Sequence, residues 1–187
     1  MIAVARRYFV LSHNSAPAAS TIIAMDDTTI AHTIAALHAD SWRVAYQDIY
    51  SRHYLEHELD DDRARQWSRR VPELRATGGQ VFLARVRRRP AGFLCIEVKQ
   101  PGLAYIDNLH VLPQFQRLGI ASALIDRGAA WARQRDCERM TLYVLEQNLP
   151  ARRFYRRTGW RVEAREPRHL LRGVGRVPVL RLVRATQ

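Results

Sequence analysis

The short run Gln116-Arg117-Leu118-Gly119-Ile120-Ala121 carries the clearest chemistry in this sequence. It follows an apolar stretch that reads as a strand and opens a stretch with helical periodicity. Glycine and alanine at such a junction let a ligand approach the backbone closely. The first N–H groups of a helix have no intrahelical acceptor, and the helix dipole is positive there, so anions are favoured. The spacing therefore predicts a phosphate or pyrophosphate site. A second run, His53-Tyr54-Leu55-Glu56-His57, has the H-x-x-E-H spacing. Two histidines at i and i+4 share a helix face, as a zinc site needs. The sequence marks no third ligand, and Cys95 and Cys137 have the wrong spacing for zinc, so no metal is expected.

The elements that must position the turn can be read from periodicity. Residues 21–25 read as a first strand. Asp26, Asp27 and Thr28 then offer N-cap chemistry for a helix reaching about Trp42, with Ile30, Ile34, Leu37 and Ser41 at helical spacing. Residues 54–70 read as a second helix with Leu55, Leu59 and Trp67 on its inner side. Strands are expected over 80–86, 91–99 and 103–112, separated by the turns Arg87-Arg88-Arg89-Pro90 and Gln100-Pro101-Gly102. A helix over 117–135, a strand over 139–145 and a helix over 148–157 follow. Residues 160–165 and 177–183 read as a closing hairpin joined by a long connection. Alternating strands and helices after a three-strand meander give an α/β fold with a mixed sheet.

The length of 187 residues suits one domain, and 47% hydrophobic residues can fill its core. Residues 21–187 are read as that domain. Residues 1–20 are read as a flexible N-terminal extension: Arg6-Arg7-Tyr8-Phe9-Val10 has a twin-arginine look, but the apolar stretch is too short for a signal. No run is apolar enough to span a membrane. Cys95 and Cys137 each lie in an apolar, strand-like run and suit buried free thiols in a reducing compartment. The net charge is +12, and Lys99 is the only lysine. Arginine is densest after Asn148, opposed there only by Glu163 and Glu166. Such a surface can steer an anionic ligand or attract nucleic acid. The only aromatics that interleave the run early on are Phe154, Tyr155 and Trp160, so a nucleic-acid partner is disfavoured.

The stretch over residues 105–159 resembles the acetyl-CoA core of the GCN5-related N-acetyltransferases, the GNAT superfamily. Residues Gln116 to Ala121 match its Q/R-x-x-G-x-G/A pyrophosphate turn. Asn148, Phe154, Tyr155, Gly159 and Trp160 match the Asn and the F-Y-x-x-x-G-[F/W] helix of its second half. The resemblance implies a mixed, mostly antiparallel sheet of six to seven strands with about four helices, splayed between strands 4 and 5, where acetyl-CoA fills the gap.

It also implies roles. The backbone of Leu109, His110 and Val111 would pair with the pantetheine arm, and a bulge in that region would aim an N–H at the thioester oxygen. Gln116, Arg117, Leu118, Gly119, Ile120 and Ala121 would hold the pyrophosphate. Asn148 would bond the pantetheine arm or cap its helix, or both. Tyr155 matches the general acid that protonates the leaving thiolate; a phenol is neutral at pH 7 and can donate. Trp42 and Tyr46, in S-W-R-V-A-Y, and Tyr105 would line the acceptor side, or the first two would be aromatic core. The Glu that some members place on the central strand is Tyr105 here. Asp107, on the same strand face, is the first candidate for the base, Glu97 the second, and a water chain remains open. The implied activity is N-acetyl transfer to a primary amine, of a small molecule or of a protein N-terminus or lysine, in the cytoplasm. A non-catalytic acyl-CoA or nucleic-acid-binding module is the reading of another class. The sequence does not set the oligomeric state and leaves room for a homodimer.

Overall fold

A computed structural model describes residues 20–25, 29–168 and 175–187. The N-terminal extension, the N-cap at 26–28 and part of the last connection lie outside the described residues. The elements are β1 (Ser20–Met25), α1 (Thr29–Ala45), α2 (Leu59–Ala76), β2 (Gln80–Val86), β3 (Arg89–Gln100), β4 (Leu103–Val111), α3 (Ile120–Arg133), β5 (Arg139–Leu145), α4 (Leu149–Arg157), β6 (Arg161–Arg168) and β7 (Val177–Ala185). The sheet has seven strands in the order β1-β2-β3-β4-β5-β7-β6. Every pairing is antiparallel except β4 with β5.

Both faces of the sheet are covered, and strand alternation decides which side chain goes where. On β3, Leu94 and Ile96 join the core beneath α3 and α4 with Leu124, Trp131, Tyr155 and Trp160. Phe93 and Cys95 face the other way, into a core with Ile34, Leu37, Trp67 and Leu74 from α1 and α2. A third cluster places Trp42, Tyr46, Leu55 and Leu59 over Tyr143, Leu145 and Val179 of β5 and β7.

Two irregularities shape the middle of the sheet. The β4–β5 ladder pairs only Leu103, Ala104 and Tyr105 with Arg139, Met140 and Thr141, after which the strands part. On the other side of β4, Cys95 pairs with Asn108 while Ile96 pairs with Ile106, so Asp107 is the extra residue of a β-bulge. Ile106 and Leu109, three apart, consequently both face the α3 core. Asp107, by contrast, reaches Arg70 of α2 on the opposite face.

Several boundaries differ from the sequence reading. The second helix begins as a π-helical turn over Tyr54–Glu58 and runs on through Pro72 to Ala76. The third helix starts at Ile120 rather than Arg117, because Arg117 and Gly119 take left-handed φ values of 65° and 75° and cannot continue a right-handed helix. The strand after Trp160 continues to Arg168. Cys137 lies in the turn between α3 and β5 rather than in a strand, where its N–H bonds the Ala132 carbonyl. Both thiols are free and buried, as expected.

Candidate active site

The separation of β4 from β5 leaves β4 residues 106–111 beyond the paired segment. At the C-terminal end of β4 the chain turns through Pro113–Phe115 into the Gln116–Ala121 run. The Gln116 side chain donates from Nε2 to the Val111 carbonyl at 3.1 Å, tying the run back to the strand. Gly119 is the N-cap of α3 in a left-handed conformation that a side chain rarely adopts, and its carbonyl accepts from Ala123 at 3.0 Å. Ile120 is buried and anchors the helix, whereas Leu118 is exposed. The run thus sets the N-terminus of a 14-residue helix at the mouth of the splay. That geometry fits an anion such as a pyrophosphate, and Arg117 lies on the same loop. Gly92 on β3 completes the fit: a Cβ there would lie 2.5 Å from the His110 carbonyl, so only glycine lets β3 lie this close to the end of β4.

Across the splay, Asn148 caps α4 by accepting from the Ala151 N–H at 3.1 Å. This is the capping role the sequence suggested. Tyr155, two turns along α4, is 1% exposed and stacks edge-on with Trp160. Burial pushes its phenol well above its ordinary value, so it stays protonated throughout the neutral range.

On the other face, the bulge brings Asp107 to Arg70 at 3.5 Å, and the same guanidinium contacts Glu97 at 2.5 Å. Glu97 stands directly opposite Tyr105 in the β3–β4 ladder and also meets Lys99 at 2.9 Å. Carboxylates on this face therefore come from the neighbouring strand and from the bulge rather than from Tyr105. Both base candidates belong to one cluster around Arg70, a residue the sequence did not single out. Burial pushes the Asp107 carboxyl up, and nearby cations, Arg70 among them, bring it below its ordinary value.

Trp42 and Tyr46 are 1% and 0% exposed, with rings 4.5 Å apart. Trp42 stacks on Tyr50, which stacks on Tyr54. The Tyr105 ring meets Tyr143 of β5 at 6.0 Å, and burial pushes its phenol up. Leu109 and Val111 face α3, while the His110 side chain is buried on the opposite face. Its ring stacks on Phe93 and its Nδ1 lies 2.9 Å from Ser41 Oγ. Burial, aided by the positive charge of Arg63, pushes it down to about 3. His38 sits beside it, ring centroids 4.6 Å apart, and the sequence reading missed it. Its signal was its place in a buried stripe with Trp42 and Tyr46 at i+4 and i+8. Asn108, a polar residue within an apolar strand, was missed as well. His53 and His57 are neighbours at 5.0 Å, but no metal-ligand cluster of three or more occurs among the described residues.

Comparison with known proteins agrees with this geometry. No curated protein sequence matches the chain. Among solved structures, the PaiA N-acetyltransferase from Thermoplasma acidophilum in complex with coenzyme A is 17% identical, with a TM-score of 0.69 over 88% of this chain and 99% of that one. A GCN5-related N-acetyltransferase from Rhodopseudomonas palustris is 19% identical, with a TM-score of 0.67 over 93% and 99%. The ribosomal-protein-S18-alanine N-acetyltransferase from Escherichia coli is 18% identical, with a TM-score of 0.63 over 89% and 94%. These three share the fold. The acetyltransferase (GNAT) family model matches residues 32–160. The splayed sheet, the anion-binding turn and that match give an acetyl-CoA-dependent acetyltransferase, and the chain belongs to the acetyltransferase (GNAT) family.

Proposed function

We propose that residues 21–187 form one catalytic domain that transfers the acetyl group of acetyl-CoA to the primary amine of a small molecule, by direct attack in a ternary complex. Acetyl-CoA supplies an acetyl group activated as a thioester. The Gln116–Ala121 run holds its pyrophosphate, and the backbone of Leu109, His110 and Val111 with Asn148 holds its pantetheine arm. In this reading a backbone N–H of the irregular segment around Asp107 polarises the thioester carbonyl. The amine nitrogen forms its bond to the carbonyl carbon and loses a proton to Asp107, directly or through water. The carbon–sulfur bond breaks, and the Tyr155 hydroxyl gives its proton to the departing sulfur.

The observation that carries this reading is the position of the bulge. It displays Asp107 on the α2 face directly beside the point where β4 leaves β5. The acceptor side supports a small molecule over a peptide. Trp42, on α1, and Tyr46, just after it, are fully buried against the π-helical turn, β5 and β7, where an extended chain would need an open groove. No helix among the described residues is long and apolar enough to cross a membrane; action in the cytoplasm is part of the same proposal. The test is release of free CoA from acetyl-CoA across a panel of small primary amines and peptides with free N-termini or lysines. Turnover confined to small amines supports the proposal. Turnover confined to peptides replaces it with protein acetylation, and no release with any amine sinks the transferase reading.

A further inference from the structure

The acceptor side of the sheet buries more hydrogen-bonding capacity than it satisfies. His38, Trp42 and Tyr46 form one stripe on α1 and its C-terminal extension, each 1% exposed or less. Facing the stripe from β4 are Asn108 and His110, 1% and 4% exposed, two residues apart on one strand face. His38 Nε2, Trp42 Nε1, the Tyr46 hydroxyl, both amide atoms of Asn108 and His110 Nε2 have no hydrogen-bond partner among the described residues. A buried polar group left without a partner is destabilising, and native proteins carry only a few per hundred residues. Ring contacts join His38, Trp42, Tyr46 and His110 into one group, and such a set can be satisfied by a polar group that binds there.

The polarity of the set identifies what that is. Trp67 Nε1 donates to His38 Nδ1 at 2.9 Å. An indole can only donate, so Nδ1 is the acceptor nitrogen and the proton of the neutral ring sits on Nε2. His38 Nε2 and Trp42 Nε1 are thus two fixed donors, and the Tyr46 hydroxyl and the Asn108 amide can add two more. The Arg63 guanidinium, 4% exposed, lies 4.2 Å over the Trp42 ring. Arg63 is itself paired with Asp62 at 2.7 Å, so it is the unpaired donors, rather than a net charge, that suit an oxyanion at this end. Carboxylates come at the bulge instead, where Glu97 and Asp107 share Arg70 and Glu97 also meets Lys99. His110 lies between, within electrostatic reach of both Arg63 and Asp107.

We propose that the stripe His38, Trp42 and Tyr46, with Asn108, binds a carboxylate of the acceptor, which is therefore an amino acid or a similar zwitterion. This rests on the acetyl-transfer reading above. The amine faces Asp107 and the splay, and the carboxylate faces the buried donors. A polyamine or a simple alkylamine leaves those donors unpaired, and a site that must pair buried donors discriminates strongly against a ligand that cannot.

The test compares kcat/KM for α-amino acids, their amides, the corresponding decarboxylated amines, ω-amino acids and aminoalkylphosphonates, using the full chain and acetyl-CoA. The expected result is at least a ten-fold preference for a carboxylated amine over its amide. Trp42→Phe keeps an aromatic but smaller ring and removes the donor, and Tyr46→Phe removes only the hydroxyl, with less disturbance of packing. Each should shrink that preference at least five-fold. Equal kcat/KM for acid and amide, preference for the phosphonate, or an unchanged preference in both variants overturns the proposal. A second readout needs no turnover: millimolar amino acid should raise the melting temperature of the wild type and raise it less in Trp42→Phe. Failure of every carboxylated amine to shift the melting temperature also overturns the carboxylate site. A shift without CoA release in the panel overturns the transferase reading and leaves the site standing.

Discussion

Arg70 of α2 contacts two carboxylates at once, Glu97 of β3 at 2.5 Å and Asp107 of the β4 bulge at 3.5 Å. Burial pushes the Asp107 carboxyl up, and cations including this guanidinium bring it below its ordinary value, so it is ready to accept a proton, though with reduced basicity. Asp107→Asn should lower kcat about 10- to 100-fold at neutral pH, the usual size of a general-base contribution at its lower end. Arg70→Met should move the acidic limb of the kcat/KM profile to higher pH, because the carboxyl loses a cation that holds its value down. Unchanged turnover in Asp107→Asn would assign the proton to water instead.

The donor half of the site was legible because its parts are local. A glycine between a strand and a helix, an Asn four positions before a helical Arg, and a Tyr one turn further on are short-range patterns, and the helix over Leu149–Arg157 and the strand over Arg139–Leu145 appear where periodicity puts them. The acceptor half was not legible because it is made by pairing. Nothing in the residues around Asp107 announces a bulge; it follows from the register of β4 against β3. Arg70 sits 27 positions from Glu97 and meets it only once α2 lies across the sheet. His38 looked like one more position of an amphipathic helix, and its role depends on Trp67, Phe93 and His110, which come from three other elements. The late start of α3 has a similar origin: the propensities of Arg117 and Leu118 permit a helix, but the turn takes Arg117 and Gly119 into left-handed conformations.

Tyr155 is fully buried on α4, and burial keeps its phenol protonated. Tyr155→Phe removes only the hydroxyl and retains the packing against Trp160. If the hydroxyl protonates the leaving sulfur, kcat should fall about 10²-fold, while the dissociation constant for acetyl-CoA changes only a few-fold. Steady-state kinetics alongside calorimetric titration separate the two. An equal loss in both would make Tyr155 a binding residue alone.

The left-handed Gly119 makes a prediction about the anion-binding turn. Acetyl-CoA should raise the melting temperature by mass action, by an amount that grows with the logarithm of its concentration. Gly119→Val puts a β-branched side chain at a φ of 75°, where it is strained, and brings its bulk to the helix N-terminus. The variant should bind acetyl-CoA at least ten-fold more weakly, seen as a smaller thermal shift at each concentration. A wild-type-like shift would move the pyrophosphate away from this turn.

His110 ties stability to pH. Its folded value is pushed down to about 3 by burial, against about 6.5 in the unfolded chain. The unfolded state therefore takes up a proton first as pH falls. The contribution is complete above pH 6.5 and is lost between there and about 3, at up to about 1.4 kcal/mol per pH unit. His38, also held well below its ordinary value by burial, adds a slope of the same sign. The urea midpoint should consequently fall steadily from pH 7 to pH 4.5. His110→Gln cannot be protonated, so its midpoint should start lower at pH 7 and fall less steeply over the same range. Parallel curves for the two proteins would mean that His110 does not stay neutral in the fold, and the acid loss would then belong to the carboxylates around Arg70.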